Sequence, residues 1–165
     1  KVESGKLELK YETFELGKAI DAVLITLKGL AHKKSLTIET TIHNPGDRLD
    51  ADPTKFKQIL YNLLSNAIKY SYPGGQIQVS SAYDSGNVTV AIMDNGTGMT
   101  CEEQDLVFRG EGNLSKKGTA SESGTGLGLR LCLEFVHLHD GHLWVDSNPG
   151  EGSTFSFTVP SGEKY

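Results

Sequence analysis

Apolar residues recur at helical spacing through Leu16, Ala19, Ile20, Val23, Leu24, Leu27 and Ala31, which predicts an amphipathic helix preceded by a short strand at 10–15. Leu36, Ile38, Thr40 and Ile42 then alternate. So does a shorter stretch after the Asn44-Pro45-Gly46-Asp47 turn, and two strands are expected there. Asp52-Pro53 is a helix start, with Asp52 as N-cap and Pro53 at the first helical position. That helix buries Phe56, Ile59, Leu60, Leu63, Leu64 and Ala67, runs to about Tyr70 and stops at Tyr72-Pro73-Gly74-Gly75. Ile77, Val79, Ser81 and Tyr83 alternate, and so do Val88, Val90 and Ile92 beyond a tight turn, the pattern of a hairpin. Periodicity fades over 95–128, apart from a short helical candidate at 101–107, and returns at Leu127 to His139. This last helix is expected to end at Asp140-Gly141, with the glycine taking a left-handed cap. Leu143 and Val145, then Phe155, Phe157 and Val159, predict two closing strands. Helices and strands mix without strict βαβ alternation. The expected class is α+β, a two-layer sandwich whose mixed, mainly antiparallel sheet carries helices on one face.

Composition narrows this further. A chain of 165 residues is the size of one domain and can bury a core without staples. A net charge of −5 argues against a nucleic-acid binder that works by neutralising phosphates. Cys101 and Cys132 make no disulfide framework, which suits a reducing, cytoplasmic setting, with Cys101 a loop thiol and Cys132 a core residue. No apolar run reaches the roughly 18 residues needed to cross a bilayer, and no signal peptide opens the chain, so membrane insertion of this domain is not expected. The chain begins on a lysine, as a piece of a longer protein would. Glycine is the outlier, at 19 of 165 residues, about 12% against a usual figure of roughly 7%.

Three constellations carry chemistry. Asn62 and Asn66 lie one turn apart on a helix, and Lys69 and Tyr70 extend that face. Two amide oxygens can serve a hard cation and the lysine can serve a phosphate, although a solvated helix face looks the same. Asp94-Asn95-Gly96-Thr97-Gly98 follows a strand directly and sets a carboxylate beside backbone that a ligand can approach closely; an ordinary turn is the alternative. Gly124-Thr125-Gly126-Leu127-Gly128-Leu129 opens a helix, where bare amides attract anions. It is neither a dinucleotide loop, which needs glycine at position 129, nor a P-loop, which needs Gly-Lys-Ser/Thr.

The stretch over 100–123 is longer than ordinary loops and carries Arg109, Lys116 and Lys117, as a cover over a polyanion would. His137, His139 and His142 straddle a helix end and converge poorly on a metal, so they read as surface or cap histidines.

Taken in order, Asn62-x-x-x-Asn66-x-x-Lys69-Tyr70, Asp94-x-Gly96-x-Gly98, Phe108, Gly124-x-Gly126-x-Gly128 and Gly152-Ser153-Thr154 resemble the N, G1, F, G2 and Gly-Ser-Thr elements of the catalytic, ATP-binding domain of sensor histidine kinases, within the wider GHKL superfamily. The resemblance covers about 3–160 and implies a Bergerat-type ATP-binding fold. It further implies that Asp94 accepts a hydrogen bond from the adenine amino group, that Gly96, Gly98 and Met99 shape that end, that Tyr70 flanks the base, and that Thr154 sits near it. Asn62 and Asn66 would hold Mg²⁺ and Lys69 would approach the phosphates. Gly124, Thr125, Gly126, Leu127, Gly128 and Leu129 would offer amides to the triphosphate, and 100–123, with Phe108 and Lys117, would form the ATP lid.

The same resemblance implies 1–6 as the remnant of a preceding dimerisation helix, 7–162 as the catalytic domain and 163–165 as a tail. No residue of this chain would be a catalytic group by itself. The phosphoacceptor histidine would stand on dimerisation and histidine-phosphotransfer helices absent from this chain, and a response-regulator receiver domain would be the downstream partner. The isolated domain would be monomeric and cytoplasmic, whether or not the parent sensor is membrane-anchored. Asn62 stands where ATP-hydrolysing relatives of the superfamily place a glutamate base, and an amide cannot take that proton. Phosphoryl transfer to another group is therefore expected rather than hydrolysis, the alternative being a nucleotide-binding regulatory module without transfer.

Overall fold

The computed structural model describes residues 8–44, 47–109 and 128–161. The chain begins with strand β1 (Glu12–Glu15) and helix α1 (Leu16–Lys33), whose buried residues Leu16, Ala19, Ile20, Val23, Leu27 and Ala31 keep the expected spacing. Strands β2 (Thr37–Thr41) and β3 (Arg48–Ala51) follow. They do not pair with each other: β3 pairs antiparallel with β1 in a separate two-stranded sheet, while β2 joins the main sheet.

Helix α2 (Pro53–Tyr70) starts where the sequence places it, with both the Thr54 and Lys55 amides donating to the Asp52 carboxylate. Its other end is capped by the buried Lys34, whose Nζ donates to the Ile68 and Lys69 carbonyls at 2.8 Å each. The hairpin β4 (Gln76–Asp84) and β5 (Asn87–Asp94) turns through Ser85 and Gly86, at φ of 51° and 84°, the left-handed pair that a two-residue hairpin loop demands. After α3 (Cys101–Arg109) come α4 (Gly128–Leu138), β6 (Leu143–Asn148) and β7 (Gly152–Pro160). Helix α3 opens the stretch expected to be a lid, and the remainder of that stretch lies outside the described residues.

The main sheet runs β2-β4-β5-β7-β6, with β2–β4 parallel and the other neighbours antiparallel, as expected of a mixed sheet. Ile77, Val79, Val88, Val90, Ile92, Phe157 and Val159 are buried on one face, under α1, α2 and α4. Phe56 of α2 sits between Phe14 and Phe157, its ring centroid 5.5 and 5.8 Å from theirs, and pins the small sheet to the large one.

The end of α4 differs from expectation. Asp140, not Gly141, takes the left-handed conformation, at φ 55°. Gly141 is glycine for another reason: a Cβ there would stand 2.1 Å from the Thr158 carbonyl oxygen of β7.

Candidate functional site

Helix α2 organises the site. At its carboxyl end the Tyr70 carbonyl accepts from the Thr97 amide at 3.1 Å, which draws the 94–98 loop against the helix. The contact leaves no room for side chains. A Cβ on Gly96 would lie 2.0 Å from the Tyr70 oxygen, and one on Gly98, at φ 67°, would lie 1.9 Å from the Asn148 oxygen. Two of the glycines singled out by sequence are thus required by close backbone approach.

The loop frames Asp94, the last residue of β5, which is 5% exposed. Its Oδ1 accepts from the Gly96 amide at 2.9 Å, and the Ser153 amide also donates to it. Burial pushes its carboxyl up to about 6, although both amides pull the other way. A buried carboxylate at a strand end, held by main-chain donors, is poised to accept a hydrogen bond from a ligand.

Thr154 is not part of this arrangement. In the antiparallel register Asp94 stands opposite Ser153, and Thr154 opposite the exposed Met93. Opposed residues share a face and successive ones alternate, so Thr154 belongs to the face away from the helices and Ser153 to the face of Asp94. Sequence reasoning missed Ser153, and with it Ser147. The Ser147 hydroxyl lies 2.7 Å from that of Ser153 and accepts from the Met99 amide at 2.8 Å. The Gln104 side chain donates to the carbonyls of Met99 and Ser147, 3.1 Å from each, which ties α3 to this corner. Gly152 completes the corner: a Cβ there would meet the Asp94 carbonyl oxygen at 2.0 Å. The run Gly150-Glu151-Gly152-Ser153, with glycines two apart just where β7 begins, was the available signal.

Further along α2, Asn62, Asn66, Lys69 and Tyr70 are half-buried on a common face. The Lys69 ammonium sits 4.9 Å from the Tyr70 ring centroid. Asn62 Nδ2 donates to the Gly128 carbonyl at 3.3 Å, which brings the first turn of α4, with Leu129 buried behind it, to the middle of this face. Among the described residues no group of three His, Cys, Asp or Glu side chains could hold a metal. The oxygen donors of Asn62 and Asn66 do suit magnesium, which keeps waters and phosphate oxygens and takes few protein ligands.

Phe108 packs against the core elsewhere. With Gln104, Asp105, Leu143, Trp144 and Val145 it lines a cavity of about 560 Å³ beside β6, which neither Asp94 nor the two asparagines enter. Lys117, Gly124, Thr125, Gly126 and Leu127 lie outside the described residues.

Of the histidines, His139 is neither a surface residue nor a ligand. It is fully buried, with Nδ1 donating to the Phe135 carbonyl at 2.7 Å and Nε2 accepting from the Asp52 amide at 3.0 Å. Cys132 is buried as expected, and Cys101 is exposed in the first turn of α3 rather than in a loop.

The buried carboxylate lies under a glycine-built loop beside a polar helix face, and comparison with known proteins shows the family to which this arrangement belongs. Residues 51–163 match the family described as histidine kinase-, DNA gyrase B-, and HSP90-like ATPase, and the chain belongs to it. It is 35% identical over 161 residues to the adaptive-response sensory kinase SasA of Rippkaea orientalis, covering 97% of this chain and 41% of that protein. It is 34% identical to the circadian input-output histidine kinase CikA of Synechococcus elongatus, covering 96% of this chain and 21% of that one. The chain therefore spans less than half the length of these relatives. The solved catalytic domain of histidine kinase ThkA superposes with a TM-score of 0.79 at 27% identity, covering 92% of this chain and 96% of that domain. Among the described residues no helix is long and apolar enough to cross a membrane.

Proposed function

We propose that this chain is the ATP-binding catalytic domain of a sensor histidine kinase, which holds magnesium-ATP and presents its γ-phosphoryl group to a histidine on dimerisation helices outside these residues. One observation carries the reading. Helix α2 meets the buried Asp94 loop at Tyr70 and the start of α4 at Asn62, eight residues away, or about 12 Å of helix, a length on the scale of a nucleoside triphosphate.

Asp94 then accepts from the adenine amino group, while Gly96 and Gly98 let the base reach it. Tyr70 flanks the base. Asn66 and Lys69 line the phosphate path, and the amides of Gly128 and Leu129 at the α4 terminus face the anion. Magnesium, held through the Asn66 and Asn62 oxygens, would neutralise charge on the transferring group. The attacking histidine nitrogen forms the bond to Pγ as the Pγ–O bond to ADP breaks. Asn62 offers no base for water, so hydrolysis does not compete. Catalysis is then positioning and charge stabilisation.

Histidine kinase ThkA has been solved in complex with the response regulator TrrA, at 27% identity and a TM-score of 0.75 to this chain. By that likeness the phosphohistidine would pass its phosphoryl group to a receiver domain, in the cytoplasm. The test supplies the parent's phosphoacceptor helices in trans with γ-labelled ATP. Acid-labile label on histidine supports the kinase; ATP binding without transfer supports a regulatory module instead.

A further inference from the structure

We propose that Asn62 is a positioning residue whose amide nitrogen ties the first turn of α4 to α2, holding the α4 amides at the phosphate end of the site whether or not a cation is bound. The inference deepens the nucleotide-binding reading and rests on it for its functional meaning. The Gly128 carbonyl can only accept, so the nitrogen of the Asn62 amide must be the atom that faces it, 3.3 Å away.

The Asn62 side chain lies close to the Gly128 backbone. A Cβ built on Gly128 would rest 3.5 Å from both Cγ and Oδ1 of Asn62. One turn further on, the buried Cys132 donates from Sγ to the Ile59 carbonyl of α2 at 3.7 Å, a second link across the same seam. Asn62 is thus the side chain of the polar α2 face that bonds α4. Asn66, one turn along α2, has no such partner among the described residues, so its whole amide is available to the cation, whereas Asn62 can offer it only the oxygen.

This division accounts for an amide at position 62. With its nitrogen committed to Gly128, the plane of the group is set and its oxygen is aimed away from that carbonyl. A carboxylate would supply the oxygen but not the donor. It would also set its charge beside a carbonyl that can only repel it.

The experiment has two readouts on Asn62→Ala and Asn62→Asp. The first is hydrogen exchange, without nucleotide, at the Cys132 and Leu133 amides, the first that bond within α4. Exchange faster by about fivefold or more in both variants is expected, since both lose the donor; wild-type exchange in Asn62→Asp would overturn the tie. The second is calorimetry of Asn62→Ala with a non-hydrolysable ATP analogue, with magnesium and with chelator. A five- to tenfold loss of affinity in both conditions is expected, whereas a loss seen only with magnesium would make Asn62 a plain metal ligand and sink the proposal. Because exchange is read without ligand, a wild type that ignores ATP while both variants still exchange faster would refute the nucleotide reading and not the tie.

Discussion

The Gly96 amide donates to Oδ1 of Asp94 at 2.9 Å, two residues after it, in a space where Gly96 itself could carry no side chain. The loop therefore grips the carboxylate with main chain alone and leaves its remaining acceptor capacity to a ligand. Replacing that acceptor tests the adenine role. Asp94→Asn is expected to fold and to bind ATP roughly 10- to 100-fold more weakly, the loss of a charge-assisted hydrogen bond of about 1.5–3 kcal/mol. Calorimetric titration measures it; unchanged affinity would remove Asp94 from the site.

The same carboxyl supplies a pH signature. Its folded value of about 6 is raised by burial, above an unfolded value of about 3.9. Ionising it therefore carries a stability penalty that is nil below the unfolded value, grows as pH rises and is complete above about pH 6. Binding runs the other way, because the ionised form is the better acceptor: ATP affinity should fall as pH drops through about 6. A terminal phosphate also titrates near 6, so the quantity to read is the difference between wild type and Asp94→Asn across pH 5–8.

Glycine substitutions should divide by geometry rather than by motif. Gly96→Ala and Gly98→Ala drive a Cβ into backbone oxygens and are expected to cost at least about 2 kcal/mol, roughly 4–8 °C in Tm, as well as nucleotide binding. Gly128→Ala meets only ordinary contact at 3.5 Å and should melt within about 2 °C of wild type. Equal losses at all three positions would contradict these contacts.

What was legible in the sequence was local. The spacing of Leu16 to Ala31 and the Asp52-Pro53 start gave α1 and α2, and alternation around Ser85-Gly86 gave the hairpin, because those patterns are written within one element. Thr154 was misplaced because the face a β7 residue takes depends on its register against β5, some sixty residues earlier. His139 looked like a surface or cap histidine; its ring does cap α4 at the Phe135 carbonyl, but only Asp52, 87 residues away, makes it a buried link. The separation of β2 from β3 was hidden for the same reason: alternation predicts a strand and is silent on its neighbour.

The His139 link is itself testable. His139→Ala leaves the Asp52 amide without an acceptor and opens a cavity between α4 and the α2 cap, an expected loss of about 3 kcal/mol. Asp52→Ala removes the cap and the acceptor of the Lys10 amide, about 1–2 kcal/mol. Burial pushes the Asp52 carboxyl up, but the Lys10, Lys55 and Thr54 amides and the Lys55 charge together hold it below its usual range. Its contribution is therefore present above the unfolded value of about 3.9 and lost as pH falls through the lower folded one. Urea midpoints should show a larger Asp52→Ala deficit at pH 7 than at pH 3; the reverse order would contradict the hydrogen bonds described.

The two thiols offer a direct probe of the α2–α4 seam. Cys101 is exposed, whereas Cys132 is fully buried beside Ile59 and Asn62, and burial pushes its thiol up to about 12. Thiolate is the reactive form, so at pH 8 iodoacetamide should label Cys101 within minutes and leave Cys132 intact until the protein opens. Mass spectrometry of the two peptides over time then makes the Cys132 rate a measure of how often α4 leaves α2. A ligand that bridges the α2 face and the α4 terminus must suppress that opening, so magnesium-ATP should slow Cys132 labelling in proportion to occupancy and leave Cys101 unaffected. Equal labelling of both cysteines in native buffer would mean that α4 is not packed as described. Protection of Cys132 lost in Asp94→Asn at the same ATP concentration would show that the adenine and phosphate ends act on one bound molecule.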